Sequence, residues 1–315
     1  MRDLRIVFLG TPDFAVETLK AIVEAKYNVV GVITAPDRPA GRGRKLQESA
    51  VKKYALENGL KVLQPTNLKS EDFLQELKAL DPNLQVVVAF RMLPTVVWKL
   101  PEYGTFNLHA SLLPQYRGAA PINWALINGE SKTGVSTFFI DEKIDTGEMI
   151  LQEEVNISKE ENAGLLHDKL MQTGARLVVK TLRVIEEGEV KTIPQTETGT
   201  LKSANKLSRE NTKINWSDSL ENIYNHIRGL SPYPAAWTNL INGNNELMMK
   251  IYAAEKELQE HEYEIGQVLK QEKEVKVAVT KGLLILKEIQ LPGKRKMKVK
   301  ELLNGYDFFP NAKVL

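Results

Sequence analysis

The sequence predicts an α/β protein in two parts: an open, mostly parallel Rossmann-like sheet, followed by a smaller β-barrel of the oligonucleotide-binding (OB-like) type. Three observations predict it. In the first half, short runs that are apolar throughout alternate with helix-period segments, the pattern of strands covered on both faces by helices. From Ser208 onward the texture changes to short alternating runs separated by turn residues. The length of 315 residues suits two domains of about 100 to 200 residues each.

The elements follow in chain order. Leu4–Gly10 is a buried run. In "TPDFAVETLKAIVEAK", Thr11 is the expected N-cap, Pro12 takes the first helical position, and apolar residues recur at helical spacing. Asn28–Thr34 completes a β-α-β unit. The repeat continues with a helix over 48–58, a short "KVLQP" strand, a helix over 70–80, and strands over 84–90 and 104–109. "GVSTFFID" and "MILQEEVNI" read as a returning strand pair, and 162–187 as one long amphipathic helix. Residues 190–207 have weak periodicity and are expected to link a first domain, 1–189, to a second, 208–315. The second opens with the helix "DSLENIYNHIRGL" and continues with "LMMKIYAAE", "YEIGQVLKQ" and "EVKVAVTKGLLILKEIQ" as strands.

Composition narrows the chemistry. The absence of Cys removes disulfides, thiolate nucleophiles and the usual structural zinc sites together. None of the four His, at 109, 167, 226 and 261, forms an HxxxH pair, so no metal is expected. The apolar run near the start is shorter than a signal-peptide core of about 7 to 15 residues, and none reaches the roughly 20 that span a bilayer. A cytoplasmic, monomeric protein without membrane association is the expectation.

Ligands of open α/β sheets sit at the carboxyl ends of the strands, which is where "GTFNLH" closes on polar residues. Asn107 and His109 are two apart and share one side of the strand. An amide and a protonated imidazole aimed together can stabilise an oxyanion, an effect of roughly 2.7 to 4 kcal/mol per donor. A carboxylate beside the imidazole would fix its tautomer and favour its charged form. "DEKIDTGEMI" offers Asp141 and Asp145; Asp145, before Thr146 and Gly147, is the better placed, with a purely turn-forming role as the alternative. Asp13 at the start of the first helix opposes a phosphate there, so "GTPDFA" reads as a helix start and not a phosphate cradle. Trp216 and Trp237 read as packing residues, and His167, His226 and His261 match no chemistry.

"FNLHASLLPQYRGAAPINWALINGE" followed by "TGVSTFFIDEKIDTGEMI" closely resembles the signature of formyltransferases that use 10-formyltetrahydrofolate. "GTPDFA", "APDRPAGRGRKL" and the C-terminal "GKRKMKVKELLNGYDFFPNAKVL" extend the likeness over essentially the whole chain, toward members whose acceptor is initiator methionyl-tRNA. The resemblance implies the formyltransferase fold and a catalytic trio of Asn107, His109 and Asp145. It implies direct attack of the methionyl α-amine on the formyl carbon through a tetrahedral oxyanion, without metal or covalent enzyme intermediate. Ser111, Leu112, Leu113 and Pro114 match the segment bordering the folate co-substrate; Phe90, Arg91, Met92 and Leu93 match the loop that cradles its pterin. That loop departs from the family pattern, in which many members carry a Tyr-Gly pair and one more residue before the Pro.

Arg38, Arg42, Arg44 and Lys45 form a basic, Gly-rich loop that by charge alone reads as a solvated run. The resemblance makes it the loop that enters the tRNA acceptor end, with Arg42 foremost. Residues 281–300 hold seven Lys or Arg against one Glu, although the whole chain is only +2, and Lys294, Arg295 and Lys296 are expected to meet a phosphate backbone. Three alternatives stay open: transfer to an amino-sugar nucleotide, hydrolysis of the folate to formate, and nucleic-acid binding by a retired catalytic domain.

Overall fold

The computed structural model describes residues 1–40, 45–196 and 199–315. The chain divides into two compact units, one of residues 1–118, 133–156 and 167–203, the other of residues 119–132, 157–166 and 204–315.

The first unit is built on seven strands: β1 (Arg5–Gly10), β2 (Asn28–Ile33), β3 (Val62–Leu63), β4 (Leu84–Val88), β5 (Thr105–His109), β6 (Lys132–Phe139) and β7 (Met149–Asn156). Their order is β7-β6-β5-β4-β1-β2-β3. The pairings from β3 across to β5 are parallel, and β6 runs antiparallel to β5. The chain winds outward from β1 through β2 and β3, then returns to β1's other side with β4. That reversal opens a crevice at the carboxyl ends, next to which β5 ends on His109. Every residue of β4 and five of six in β1 are buried, which explains their unbroken apolar character.

Helices α1 (Asp13–Glu24), α2 (Ala50–Glu57) and α3 (Glu71–Ala79) connect these strands. Thr11 does not cap α1. Pro12 stands at the cap with extended backbone, and its carbonyl accepts from the Ala15 amide at 2.9 Å, so the helix starts one residue later than spacing suggested. Ser49 caps α2, its hydroxyl accepting from the Lys52 amide at 3.0 Å. Strand β4 stops at Val88 because Ala89 turns into left-handed backbone, with φ +48°. Val7, Leu9, Ile33, Phe73, Leu77 and Val97 form one core of this unit.

Helices α4 (Pro121–Ile127), α5 (Ala163–Glu187) and α6 (Leu220–Leu230) follow. In the second unit, β8 (Ala236–Asn242), β9 (Asn245–Leu258), β10 (Val268–Lys270), β11 (Val275–Val279), β12 (Gly282–Gln290), β13 (Met297–Lys298) and β14 (Lys313–Val314) form an antiparallel sheet in the order β10-β11-β12-β9-β8-β14, with β13 on β12. Gln267, just before β10, bridges Lys313 of β14, and the Val268 and Val314 amides donate to Ala312 and Gly266 at 2.9 Å each. These bonds bring the ends of the sheet together as a barrel. Strand β8 alternates buried and half-buried residues, as a sheet with one covered face requires. Trp216 is buried in this unit and donates Nε1–H to Thr238 Oγ1 at 2.9 Å, a packing residue with a satisfied polar tip.

His226 of α6 has a buried Nε2 without a hydrogen-bond partner among the described residues, and burial pushes its pKa below the usual 6.5, against smaller opposing effects of Thr212 and Asp218. The unfolded chain therefore takes up this proton before the folded one does. The stability it contributes is full above about pH 6.5 and is lost as pH falls. Thermal melts over the acid range should show a shallower decline for His226→Gln than for the parent; an equal slope would show that His226 plays no part in the acid sensitivity.

Candidate active site

The pleat of β5 places Asn107 and His109 on one side, at the carboxyl end of the sheet. His109 is buried and Asn107 half-buried. The ring Nε2 of His109 lies 2.9 Å from the carbonyl oxygen of Tyr116. A carbonyl only accepts, so Nε2 carries the proton and donates. The Nδ1 edge faces Asp145, whose Oδ2 is 3.8 Å away. The ring thus has an acceptor for Nε2–H on one edge and a carboxylate across a gap on the other. The Asn107 amide has no protein hydrogen-bond partner among the described residues.

Asp145 sits in the turn between β6 and β7 with φ +55°, a left-handed conformation that is costly for a residue with a Cβ. Its Oδ2 accepts from the Gly118 amide at 2.9 Å, a contact between residues far apart in sequence. Asp141 is the turn-forming carboxylate instead: it accepts from the Lys143 amide at 2.9 Å and from the Thr146 hydroxyl at 2.8 and 2.9 Å. Gly147 is required by space, since a Cβ there would lie 1.7 Å from the Phe139 carbonyl oxygen.

Residues 111–114 form a hydrogen-bonded turn ending in a cis Leu113–Pro114 peptide. Ser111 donates its hydroxyl to the Gln115 carbonyl at 2.7 Å, and its own carbonyl accepts from Ser136 Oγ at 2.7 Å. The Leu113 amide donates to Ser136 Oγ at 3.2 Å, and Gln152 donates to the Leu113 carbonyl at 3.1 Å. These Ser111 and Leu113 polar groups are engaged within the protein. In the next segment, Leu93 packs into the core and Met92 is 73% exposed. Arg91 donates to the carbonyls of Thr66, at 2.9 Å, and Pro65, and its guanidinium lies 5.7 Å from the Phe90 ring centroid. Arg91 thus ties this loop to the segment at Pro65 and Thr66.

The family model described as formyl transferase matches residues 4–182, and the formyl transferase C-terminal domain matches residues 206–307. The chain belongs to the formyltransferase family. This formyltransferase is 60% identical over 314 residues to a methionyl-tRNA formyltransferase of Flavobacterium johnsoniae, covering 100% of both chains. It is 53% identical over 309 residues to a methionyl-tRNA formyltransferase of Bacteroides fragilis, covering 96% of this chain and 95% of the other. A crystal structure of an N-formyltransferase from Helicobacter canadensis, with folinic acid and dTDP-3-aminofucose, shares the fold at TM-score 0.63 and 21% identity, over 90% of this chain and 98% of that one.

Of the basic residues, Arg42 and Arg44 lie outside the described residues, and Lys45 is described only as the first residue of a short strand paired with 38–40. Arg38 is exposed at the root of this formyltransferase's basic loop. The neighbouring Asp37 anchors that root, accepting from Lys52 at 2.5 Å and Gln64 at 2.8 Å, and these two donors hold its carboxyl below the ordinary range. In the C-terminal strip, Lys296 pairs with Glu288 at 2.9 Å and Arg295 with Glu301 at 3.9 Å, pairings worth little to stability at an exposed surface. Lys294 has no carboxylate partner among the described residues. A second basic cluster escaped the sequence reading: Arg209 and Lys213 stand 5.1 and 5.7 Å from the Trp237 ring centroid, and Arg209, Trp237 and Lys250 line a cavity of about 370 Å³. Tyr116 and Gly118 escaped it too, because they act through backbone groups that leave no mark on residue type.

Proposed function

We propose that this formyltransferase moves the formyl group of 10-formyltetrahydrofolate onto the α-amine of initiator methionyl-tRNA, the first step toward a formylated start of translation. The observation that carries the reading is the full-length likeness, at 60% identity, to a methionyl-tRNA formyltransferase. Residues 1–189 would carry the chemistry and 208–315 the grip on tRNA, with 190–207 between them.

The site's residues suit the folate: an unpartnered amide beside an imidazole is a donor set for a formyl oxygen. When bound, 10-formyltetrahydrofolate supplies an activated formyl carbon on N10 for the amine to attack. Asn107 donates its amide N–H to the oxygen on which negative charge develops. His109, its Nε2–H engaged by Tyr116, works through Nδ1. The 3.8 Å between Nδ1 and Asp145 Oδ2 is too long for a direct hydrogen bond and short enough for one water or amine nitrogen to bridge. There the amine proton can be collected while the carboxylate balances the imidazolium. Leu112 and Pro114 shape the folate side, as do the Phe90–Leu93 backbone groups.

On the tRNA side, two roles of positive charge can be separated by experiment. Replacing Lys294, Arg295 and Lys296 together should weaken binding of any tRNA and flatten its salt dependence, by a slope of about 0.7 to 0.9 for each phosphate no longer neutralised. Arg42→Ala should instead slow single-turnover formylation at saturating tRNA by about a hundredfold, because misplacing the reacting amine by about 1 Å costs that much. Normal turnover of Arg42→Ala would return the loop to a solvated basic run.

A further inference from the structure

The two partners of His109 are tied to each other through one side chain. Gln195 donates Nε2–H to the Asp145 carbonyl at 3.0 Å and to the Gly147 carbonyl at 2.8 Å. Its Oε1 accepts from Arg117 Nε at 3.1 Å and Nη2 at 2.9 Å. Arg117 stands between Tyr116, whose carbonyl accepts from His109, and Gly118, whose amide donates to Asp145. A few residues beyond Gln195, the Lys202 carbonyl accepts from the Tyr116 amide at 2.6 Å. The result is a closed circuit, His109 to Tyr116 to Arg117 to Gln195 to Asp145 and back across the 3.8 Å gap. Asp145 needs such bracing: its left-handed backbone persists only where surrounding contacts over-determine it. The two carbonyls that Gln195 grips flank Thr146 and fix the direction in which the Asp145 carboxylate leaves the turn.

We propose that Gln195 is a positioning residue for the formyl-transfer step, setting the Asp145 carboxylate against His109 Nδ1 through the carbonyls of Asp145 and Gly147. The proposal rests on the reading of Asn107, His109 and Asp145 as the reacting groups. Gln195 itself touches neither substrate. Its side chain is half-buried, so losing it spares the core.

The test uses the full-length protein, 10-formyltetrahydrofolate and methionyl-tRNA, with the variants Gln195→Ala, Gln195→Glu, Asp145→Asn and the double Gln195→Ala/Asp145→Asn. Gln195→Ala should lower kcat by about tenfold to a hundredfold with both KM values within about twofold, since a carboxylate moved by less than about 1 Å costs rate and not binding. Gln195→Glu keeps the volume and the acceptor for Arg117 but loses the donor to the two carbonyls. It should fall as far as Gln195→Ala, whereas a purely structural role predicts a near-normal enzyme. In the double variant the Gln195 change should add no more than about a twofold loss, because what it positions is already gone. A normal kcat in Gln195→Glu, a loss confined to KM, or full multiplication of the two effects overturns the proposal. If Asp145→Asn alone turned over normally, the reading of the trio would fall first and this inference with it.

Discussion

Replacing Asp145 by Asn is expected to lower the single-turnover rate of formyl transfer by about a hundredfold to ten-thousandfold, with melting temperature and tRNA affinity unchanged. The amide oxygen of Asn can still accept from the Gly118 amide, so the turn keeps its shape. What disappears is the negative charge opposite His109 Nδ1, and with it the counter-charge for an imidazolium. Rapid-quench measurement at saturating folate and tRNA reads the chemical step directly. A folded variant with near-normal rate would show that the carboxylate serves only the turn.

Gly147→Ala is the second large effect, and it acts by geometry alone. A methyl group 1.7 Å from the Phe139 carbonyl oxygen cannot be accommodated without moving backbone on one side or the other. The strand ends there are already bonded, Phe139 N–H to the Glu148 carbonyl at 3.0 Å, and Gln195 holds the Gly147 carbonyl. The hairpin must open, and Asp145 moves with it. A rate loss of at least about a hundredfold is expected, together with a stability loss of about 1 to 3 kcal/mol. The contrast with Asp145→Asn is diagnostic: both lose rate, and only Gly147→Ala loses melting temperature.

The parts of this architecture legible in the sequence were those with a local signature. The runs within 4–10 and 84–90 are apolar throughout because helices cover both faces of the sheet, and the period-two textures after 208 reflect a barrel with one covered face. Asn107 and His109 declared themselves as a pair by spacing two. Asp145 stood out from Asp141 only by its place before Thr146 and Gly147, since the decisive difference lies in a left-handed φ and in an amide 27 residues away. The Tyr116 carbonyl was invisible for the same reason. Gln195 lay in a segment without periodicity, where a side chain's importance comes wholly from the distant carbonyls it grips. The Thr11 cap failed because Pro12 has non-helical backbone, shifting the first helical residue to Asp13.

The acceptor decides between the formyl-transfer reactions open to this site. Purified protein with 10-formyltetrahydrofolate is offered, in parallel, methionyl-tRNA, an amino-sugar nucleotide, and buffer alone, and the rate of formyl loss from the folate is followed in each. Formylation of methionyl-tRNA at least about a hundredfold faster than either alternative is the predicted result, since under the proposed function only that acceptor places its amine against Asn107, His109 and Asp145. Comparable or faster transfer to the sugar amine, or release of formate at the same rate with no acceptor present, would contradict it.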